Sequence, residues 1–529
     1  MNPFYIFILI CIILACKKEP LQNEVALQRI ASIPTVQATP DKIVPIDSVS
    51  LYQYKSKELI HLYQSADFVS IWGKEKIRQT VLEQLSKSDE EGLNPMDYNI
   101  HKLMDYEKKI AVLTDQELAN FDILLTLSLQ KYISHLTNGR VNPRNIYKKW
   151  DLKENKIDIN ETLFQLLKSD SVSKKMELLK PNHIVYKRLK NALKIINTFP
   201  KDDFKKIEII GRISPQDSNS ALIGIKKRLI YWKDLQPKDS LSMIYDSETV
   251  KVMKKFQTRH GLRADGIIGR GTIESLNFSK KQRKEQILVN LERWKWFPKN
   301  LGTEYAIVNI PDYKLSLVNN QDTVQTHRVI VGRPKRKTPV LSSRLTQVIF
   351  NPTWTVPPTI LREDVIPAIL KNRSYLTQTK IRLYDRNGNA VPLYNWSLSN
   401  AYNYRYVQIP GKFNSLGMVK MIFPNRFSVY LHDTNHRDFF EKTERSLSSG
   451  CVRVDNPLEL TEYLLNDPTR WNLEKITKTL QEEKTEYATI KKKVLFHLLY
   501  WTAWSDKNKL IFRDDIYSLD AVLYKELGN

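Results

Sequence analysis

A cysteine and a histidine near each other in the sequence are the residues best suited to covalent chemistry. Cys451 follows a glycine, and His432 lies 19 positions before it. A thiol is a strong nucleophile only as a thiolate, and an imidazole within reach can remove its proton. The backbone N–H groups of residues 449–451 could point at a developing oxyanion. Spacing alone leaves this pair a candidate, since a buried cysteine with an unrelated histidine is at least as common.

The segments around this pair have the alternating or β-branched pattern of strands. This pattern predicts a mostly β domain over residues 304–529, in which His432 ends a strand. We expect strands at YAIVNI (305–310), YKLSLV (313–318), TVQTHRVIVG (323–332), 347–350, 417–423 and 428–432. The first three are separated by short turns, which is typical of a meander.

One stretch inside this domain differs in composition. Residues 361–410 begin with a helical pattern, LREDVIPAILKN, and continue through an irregular segment with aromatic residues. A segment of this length within a sheet predicts an inserted lid subdomain. We also expect a C-terminal extension over about 480–529. Basic runs such as 333–337 are usually solvated, unless the loop lies beside an active site.

The amino-terminal half is predicted to be helical. Apolar residues at three- and four-residue steps predict a mostly α scaffold domain over 48–220, without a cluster of residues that suggests chemistry. A separate compact unit follows over 221–277, where Asp246 can cap a helix and Gly261 can end it. A helical link over 278–303 leads to the β domain. We therefore expect a multidomain α+β protein.

The composition excludes several classes of protein. Of 529 residues, 42% are hydrophobic and 26% charged, which rules out wholesale disorder and a protein with many membrane spans. The 82 basic and 58 acidic residues give a net charge of +24, which favours anionic partners. The histidines are dispersed without paired-ligand spacing, so we expect no metal and no cofactor.

The first residues predict export. Residues 1–15 form an uncharged apolar run that is shorter than the ~20 residues of a membrane-spanning helix but typical of a secretory signal. The tetrapeptide ILAC, ending at Cys16, resembles a bacterial lipobox, so we expect a periplasmic lipoprotein anchored to a membrane through Cys16. A plain secretion signal is the alternative. Residues 16–47 are expected to form a tether, and the positive charge then meets envelope polymers and no nucleic acid.

Two motifs resemble those of known families. The string FQTRHGLRADGIIGRGTIESLN (256–277) resembles the three-helix peptidoglycan-binding module, although a spacer of the same fold is an alternative. HDT at 432–434 and SSGCVR at 448–453 resemble the signature of the L,D-transpeptidases, the YkuD catalytic domain. Supporting segments are VGRPKRKTPVL (331–341), NPTWTVPPTILREDVIP (351–367) and PGKFNSLGMVKMIFPN (410–425). The order of domains, through the tail at 500–517, resembles the large YcbB-like subgroup.

The resemblance implies a role for each matching residue. Cys451 would be the nucleophile and His432 the general base, with Thr434 orienting the imidazole. The remaining residues would shape the oxyanion hole and the substrate pocket: Ser449 and Gly450 at the oxyanion, Arg453 at the loop or a substrate carboxylate, and Tyr430 at the pocket wall.

Two positions depart from the common pattern of the family. Ser449 stands where many members have histidine, so the role of that second histidine is absent or passes to His436. Asp433 stands where glycine is more usual, a change that the larger subgroup is expected to tolerate.

The resemblance also implies a reaction on peptidoglycan stem peptides. The thiol would attack the carbonyl that joins the diaminoacid of a tetrapeptide donor to D-Ala, and D-Ala would leave. The amine of a second stem's diaminoacid would then resolve the thioester and form a 3→3 cross-link. One alternative is an L,D-carboxypeptidase with the same residues, and another is a non-catalytic lipoprotein that tethers peptidoglycan. We expect a monomer.

Overall fold

The computed structural model describes residues 42–169 and 171–528. The predicted signal peptide, the lipid site Cys16 and most of the predicted tether lie outside these described residues. Among the described residues, no helix combines the length and the apolar character that crossing a bilayer requires.

The amino-terminal part is helical, as predicted. Its helices are α1 (Ser48–Tyr52), α2 (Lys57–Gln64), α3 (Glu75–Ser86), α4 (Ile100–Lys108), α5 (Asp115–Asn138), α6 (Ile159–Leu167), α7 (Val172–Leu179) and α8 (Ile184–Asn197). Helix α5 begins with a capping box, in which Thr114 and Glu117 satisfy each other's backbone N–H groups. Val44 and Ile46 are buried in this unit, which therefore begins a few residues before the predicted boundary at 48.

The second unit has three helices, as predicted: α9 (Ala221–Tyr231), α10 (Ser247–Arg259) and α11 (Arg270–Leu276). Asp246 caps α10 by accepting from the N–H of Thr249 at 2.8 Å, and Gly261 follows the helix with φ +70°. Helix α12 (Lys280–Trp296) then passes through the middle of the molecule. It contacts α5, α8 and β17 (Ala503–Asp506), so it joins the scaffold to the carboxyl-terminal domain.

The carboxyl-terminal domain is built on a large mixed sheet, which confirms the predicted fold class. The strands in chain order are β1 (Trp150–Asp151), β2 (Glu304–Asn309), β3 (Lys314–Asn319), β4 (Asp322–Gly332), β5 (Val340–Arg344), β6 (Gln347–Phe350), β7 (Trp354–Thr355), β8 (Ile381–Tyr384), β9 (Ala390–Val391), β10 (Arg405–Gln408), β11 (Val419–Ile422), β12 (Leu431–His432), β13 (Ser446–Ser448), β14 (Val452–Val454), β15 (Glu486–Thr489), β16 (Leu495–Leu499), β17 and β18 (Lys509–Phe512). The main sheet has the order β1-β5-β16-β2-β3-β4-β14-β12-β11-β6-β15, and β13 pairs with β4.

Two parts of the chain enter this sheet unexpectedly. Strand β1, from the predicted scaffold region, pairs with β5 at the sheet edge. Strand β16, from the predicted C-terminal extension, lies inside the sheet between β5 and β2, with Phe496 and Leu498 fully buried. The segment 480–529 is therefore not an appendage, because its removal would open the sheet and its core. Helices α16 (Pro457–Leu465), α17 (Leu473–Gln481) and α18 (Asp520–Glu526) complete this domain.

The inserted segment forms a subdomain with its own sheet and core. Strands β7, β10, β8 and β9 pair in that order, and helices α13 (Pro358–Ile360), α14 (Ile366–Lys371) and α15 (Tyr375–Gln378) cover them. A π-helical turn, Leu361–Val365, connects α13 to α14. Val365, Leu383 and Trp396 are among its buried residues. The insertion begins at β7, slightly before the predicted residue 361.

Candidate active site

The register of three strands brings the predicted catalytic residues together. His432 on β12 pairs with Arg453 on β14 and with Lys420 on β11. The N–H of Val452 donates to the carbonyl of Tyr430 at 3.1 Å, which aligns the two chains one residue earlier. Because side chains alternate between the faces of a sheet, one face carries five polar groups: Lys420, Tyr430, His432, Cys451 and Arg453.

The opposite face of the same strands is core. Leu431, Val452 and Met421 are fully buried there. Shifting any of these strands by one residue would exchange the two faces, so burial of the apolar set fixes the position of the polar set. The hydrophobic pattern of residues 419–454 therefore places the thiol and the imidazole on one face.

Cys451 is a free, partly buried thiol. Burial raises its pKa, while the backbone and hydroxyl of Tyr430, together with the charges of Lys420 and Arg453, favour the thiolate. The ammonium of Lys420 also lies 4.0 Å from the centre of the Tyr430 ring. The resting thiol is therefore protonated, with two cations placed to stabilise the anion once it forms.

His432 is buried, with 5% of its surface exposed. Burial lowers the pKa of His432 to about 3, and the positive charge of Arg453 acts in the same direction. The imidazole is therefore neutral at physiological pH, as a general base must be. Its Nδ1 has no hydrogen-bond partner among the described residues, so this buried atom is available to a proton or a substrate group.

That Thr434 orients the imidazole stays a prediction. The Thr434 hydroxyl accepts from Arg453 at 3.4 Å and from the N–H of His436 at 3.1 Å. Burial lowers the pKa of the Arg453 guanidinium, whose Nε has no hydrogen-bond partner in the described structure. Thr434 thus contacts the cation beside the thiol.

The turn before Cys451 is held by a chain of hydrogen bonds. The N–H of Gly450 donates to Ser448 Oγ at 3.1 Å, and that hydroxyl donates to the carbonyl of Cys451 at 2.6 Å. The Gly450 carbonyl accepts from Thr338 Oγ1 at 2.9 Å. Gly450 has φ +121°, a conformation that favours glycine. Its N–H is therefore engaged within the turn.

An arginine outside the signature motif contacts the same turn. Arg336 Nη1 donates to Ser449 Oγ at 2.8 Å, and its guanidinium also pairs with Glu363 and Asp364 in the π-helical turn of the lid. Arg336 thus joins the residue two positions before the thiol to the lid. It belongs to the basic run 333–337, and the sequence offered only its position in this run as a signal.

The loop that carries Arg336 lies close to the turn before Cys451, and this approach requires a glycine at position 332. A Cβ at Gly332 would lie 2.2 Å from the carbonyl oxygen of Arg336 and 3.1 Å from the Cα of Gly450. The Tyr517 hydroxyl donates to the Gly332 carbonyl at 2.7 Å and accepts from the Thr338 N–H at 3.1 Å. The C-terminal segment therefore contacts the loop beside the turn that precedes Cys451.

The departure at Asp433 has a structural explanation. Its buried carboxylate accepts from the N–H of Met418 at 3.0 Å and from Arg437 at 3.0 Å. A Cβ at Gly417 would lie 2.4 Å from this carboxylate. Asp433 therefore holds the turn that covers His432, where the Leu416 carbonyl favours the protonated imidazole.

His436 is exposed, and its ring stacks on Phe439 with centroids 5.1 Å apart. That it takes over the role of a second site histidine stays a prediction. Among the residues that the structure describes, no three or more His, Cys, Asp and Glu side chains gather as metal ligands would.

Comparison with known protein families gives three matches. Residues 57–193 match a scaffold domain, residues 218–276 match a "Putative peptidoglycan binding domain", and residues 303–477 match the L,D-transpeptidase catalytic domain, YkuD. A "Putative L,D-transpeptidase" of Haemophilus influenzae is 33% identical over 267 residues, covering 49% of this chain and 54% of that protein. The chain thus aligns with about half the length of this curated relative.

Two solved structures also resemble parts of the chain. L,D-transpeptidase 1 of Mycobacterium tuberculosis is 10% identical, with a TM-score of 0.15, and the match covers 37% of this chain and 61% of that one. The L,D-transpeptidase of Xylanimonas cellulosilytica is 11% identical, with a TM-score of 0.18 and coverage of 55% and 99%. The similarity to a family rests on the family matches alone. Residues 303–477 of this chain are thus similar to the YkuD family of L,D-transpeptidase catalytic domains, and residues similar to a peptidoglycan-binding domain precede them.

Proposed function

We propose that this protein is an envelope L,D-transpeptidase that joins peptidoglycan stem peptides by 3→3 cross-links. The observation that carries the proposal is the placement of the Cys451 thiol and the neutral His432 imidazole on one face of adjacent strands. The matches to a catalytic domain and to a peptidoglycan-binding domain support the cell wall as the substrate.

The first half-reaction transfers the donor stem to the enzyme. His432 accepts the proton of Cys451, and the sulfur attacks the carbonyl between the diaminoacid and D-Ala of a tetrapeptide stem. The tetrahedral intermediate collapses as the C–N bond breaks, and His432 returns the proton to the amine of D-Ala. The products are a thioester on Cys451 and free D-Ala.

The second half-reaction transfers the donor stem to an amine. The side-chain amine of a second stem's diaminoacid attacks the thioester carbonyl and gives its proton to His432. The C–S bond then breaks, and the sulfur of Cys451 takes the proton back. This step forms the amide of the 3→3 cross-link and restores the thiol.

The residues around the Cys451 sulfur have separate roles in these two half-reactions. Lys420 and Arg453 stabilise the thiolate by charge, and Thr434 positions the Arg453 guanidinium. Because the Gly450 N–H donates to Ser448, we assign the backbone N–H of Cys451 as the oxyanion donor. Arg453, whose Nε has no partner among the described residues, can also bind the carboxylate of the departing D-Ala.

Incubating the purified protein with disaccharide-tetrapeptide and weighing the products tests the proposal. We expect a cross-linked dimer that lacks one D-Ala. A tripeptide product would identify an L,D-carboxypeptidase, and unchanged substrate would identify a tethering protein without activity. Cys451→Ala should abolish the product, whereas Cys451→Ser, which keeps the shape but not the acidity of the thiol, should leave at most a trace.

An active-site label gives an independent measurement. A carbapenem should add once to the wild-type protein by mass and should not add to Cys451→Ala. Replacing His432 by glutamine should slow this addition strongly without removing the thiol, because proton transfer from Cys451 is lost. Equal rates of addition in the two proteins would reject His432 as the base.

We further propose that the chain is exported and anchored through a lipid on Cys16. The support is the ILAC sequence, which precedes the described part of the structure. Expression of the full chain with a labelled fatty acid should label the wild type and not the Cys16→Ser variant. Label retained in the variant would contradict the anchor.

A further inference from the structure

A basic groove runs along α8, away from the strands that carry Cys451 and His432. It consists of two adjoining cavities of about 470 and 370 Å³, which share Lys194 as a wall residue. The first lies between α8 and Lys299, just after α12. The second continues to the peptidoglycan-binding domain and to the β17–β18 hairpin. We refer to these two cavities together as the α8 groove.

The first cavity contains more cations than its own acids neutralise. Glu91 pairs with both Lys180 and Lys190, and Lys180 also pairs with Glu177. The cavity's remaining lysines form no ion pair within the described residues: Lys187, Lys194 and Lys299. These three side chains present ammonium groups to one recess.

Lys299 differs from an ordinary surface lysine. It is partly buried, and burial lowers the pKa of its ammonium because no carboxylate in the described structure compensates for the lost water. A partly buried ammonium without a counter-ion costs free energy, and an anion that binds beside it reduces this cost. The exposed side chain of Asn182 lines the same cavity and can donate hydrogen bonds.

The second cavity extends the groove onto other domains. Its walls include Phe199 after α8, Trp232 and Lys233 after α9, and Lys509 on the hairpin. Lys233 lies 5.0 Å from the centre of the Phe199 ring, and Lys509 Nζ donates to the Lys233 carbonyl at 2.6 Å. Lys509 and the lining residue Arg259 both pair with Asp234, so the unpaired positive charge of the groove lies mainly in the first cavity. Three parts of the chain that are distant in sequence thus line one continuous groove.

We propose that the α8 groove binds the carboxylates of stem peptides along a peptidoglycan strand. This proposal deepens the proposed function and rests on it for the identity of the polymer. A groove of two joined cavities accommodates a chain with repeated anionic groups, whereas a flat anionic membrane would need protruding basic side chains. The second cavity also includes residues of the domain that matches the peptidoglycan-binding family.

The test measures binding of the full exported chain to purified sacculi, as the fraction that sediments with them. The variant Lys187→Gln/Lys194→Gln/Lys299→Gln removes the three unpaired charges. The control Lys108→Gln/Lys251→Gln/Lys491→Gln removes the same charge at three exposed lysines outside the groove. We expect the groove variant to bind roughly tenfold more weakly, because three partly screened charge contacts are lost together.

Four outcomes decide the proposal. A groove-specific loss that disappears at high salt supports it, because screened charges no longer contribute. Equal losses in the two triple variants would overturn it in favour of net charge alone. Undiminished binding to glycan strands stripped of stem peptides would overturn the assigned ligand. A groove-specific loss of binding to vesicles of anionic phospholipid, with sacculus binding unchanged, would indicate a membrane site instead.

Turnover separates this proposal from the proposed function. Both triple variants should convert soluble disaccharide-tetrapeptide at the wild-type rate, because the groove contains no residue of the strands around Cys451. If the wild-type protein shows no turnover but binds sacculi through the groove, the proposed activity fails while the binding site stands.

Discussion

Replacing Arg336 by glutamine tests whether a side chain outside the signature motif holds the nucleophile loop. The Arg336 side chain is 12% exposed and donates to Ser449 Oγ at 2.8 Å. It also pairs with Glu363 at 2.6 Å and with Asp364. Glutamine removes the charge and breaks these contacts, so the turn before Cys451 loses its link to the lid.

The exposure of each partner sets the size of the effect. Glu363 and Asp364 are 45% and 37% exposed, so water replaces the arginine there and each pair contributes only about 0.5 kcal/mol. The hydrogen bond from a charged donor to Ser449 contributes about 1.5–3 kcal/mol. Because this bond acts on the loop that carries the nucleophile, we expect the rate of carbapenem acylation to fall roughly 10- to 100-fold, at about 1.4 kcal/mol per tenfold.

The assay is the second-order rate of single carbapenem addition, followed by mass, beside the kcat/KM of turnover. Arg362→Gln is the matched control, because Arg362 is 62% exposed and pairs with Glu363 alone. We expect this control to stay within about twofold of the wild type. Arg336→Lys should give an intermediate rate, since it keeps the charge but not the fork geometry. A wild-type acylation rate in folded Arg336→Gln would refute the link between this arginine and the nucleophile loop.

Three further predictions follow from the site and its supports. Gly332→Ala places a Cβ 2.2 Å from the Arg336 carbonyl oxygen, so we expect a lower melting temperature and a large loss of acylation. Asp433→Ala leaves the Met418 N–H without its acceptor, which should cost about 1–3 kcal/mol in denaturant unfolding and reduce turnover as the turn over the imidazole loosens. Burial lowers the pKa of His432 to about 3, below its value of about 6.5 in the unfolded chain, so this group stabilises the fold above about pH 6.5 and its contribution is lost as the pH falls toward 3. We expect a smaller decrease in melting temperature between about pH 7.5 and pH 4.5 for His432→Gln than for the wild type.

The first two of these predictions have a control variant within the chain. Gly269→Ala adds a Cβ that meets nothing within 4 Å, so its melting temperature should stay near that of the wild type. Asp438→Ala changes an exposed carboxylate in the same loop as Asp433 and should cost less than about 0.5 kcal/mol. The pH argument fails if His432→Gln and the wild type lose the same number of degrees on acidification.

Local sequence features predicted much of the architecture. Asp246 caps α10 and Gly261 follows it in a left-handed conformation, because both signals depend only on neighbouring backbone groups. The alternating segments at 305–332 form the meander β2-β3-β4, since period-two burial is also a local property. The prediction of a strand that ends at His432 is correct for the same reason.

Pairing between distant segments could not be predicted in this way. Nothing local indicates that β16 lies between β5 and β2, or that β1 joins the sheet from the helical region. Apolar alternation identifies the buried face of a strand but not its neighbours. The same limit applies to Arg336, because a basic run has the same sequence pattern on a solvated face as beside a nucleophile.

The sequence by itself determined which candidate residues are present and where they lie along the chain: one thiol behind a glycine, a histidine at a strand end, and the flanking residues of the signature. The tertiary structure decided the burial, the neighbouring charges and the hydrogen bonds of these residues. It buries the His432 imidazole and places Lys420 and Arg453 on the face that carries Cys451. It also places the Thr434 hydroxyl where it accepts a hydrogen bond from Arg453. The physical reason is that residue type is encoded at each position, whereas burial and charge proximity arise only when strands far apart in the chain pair in register.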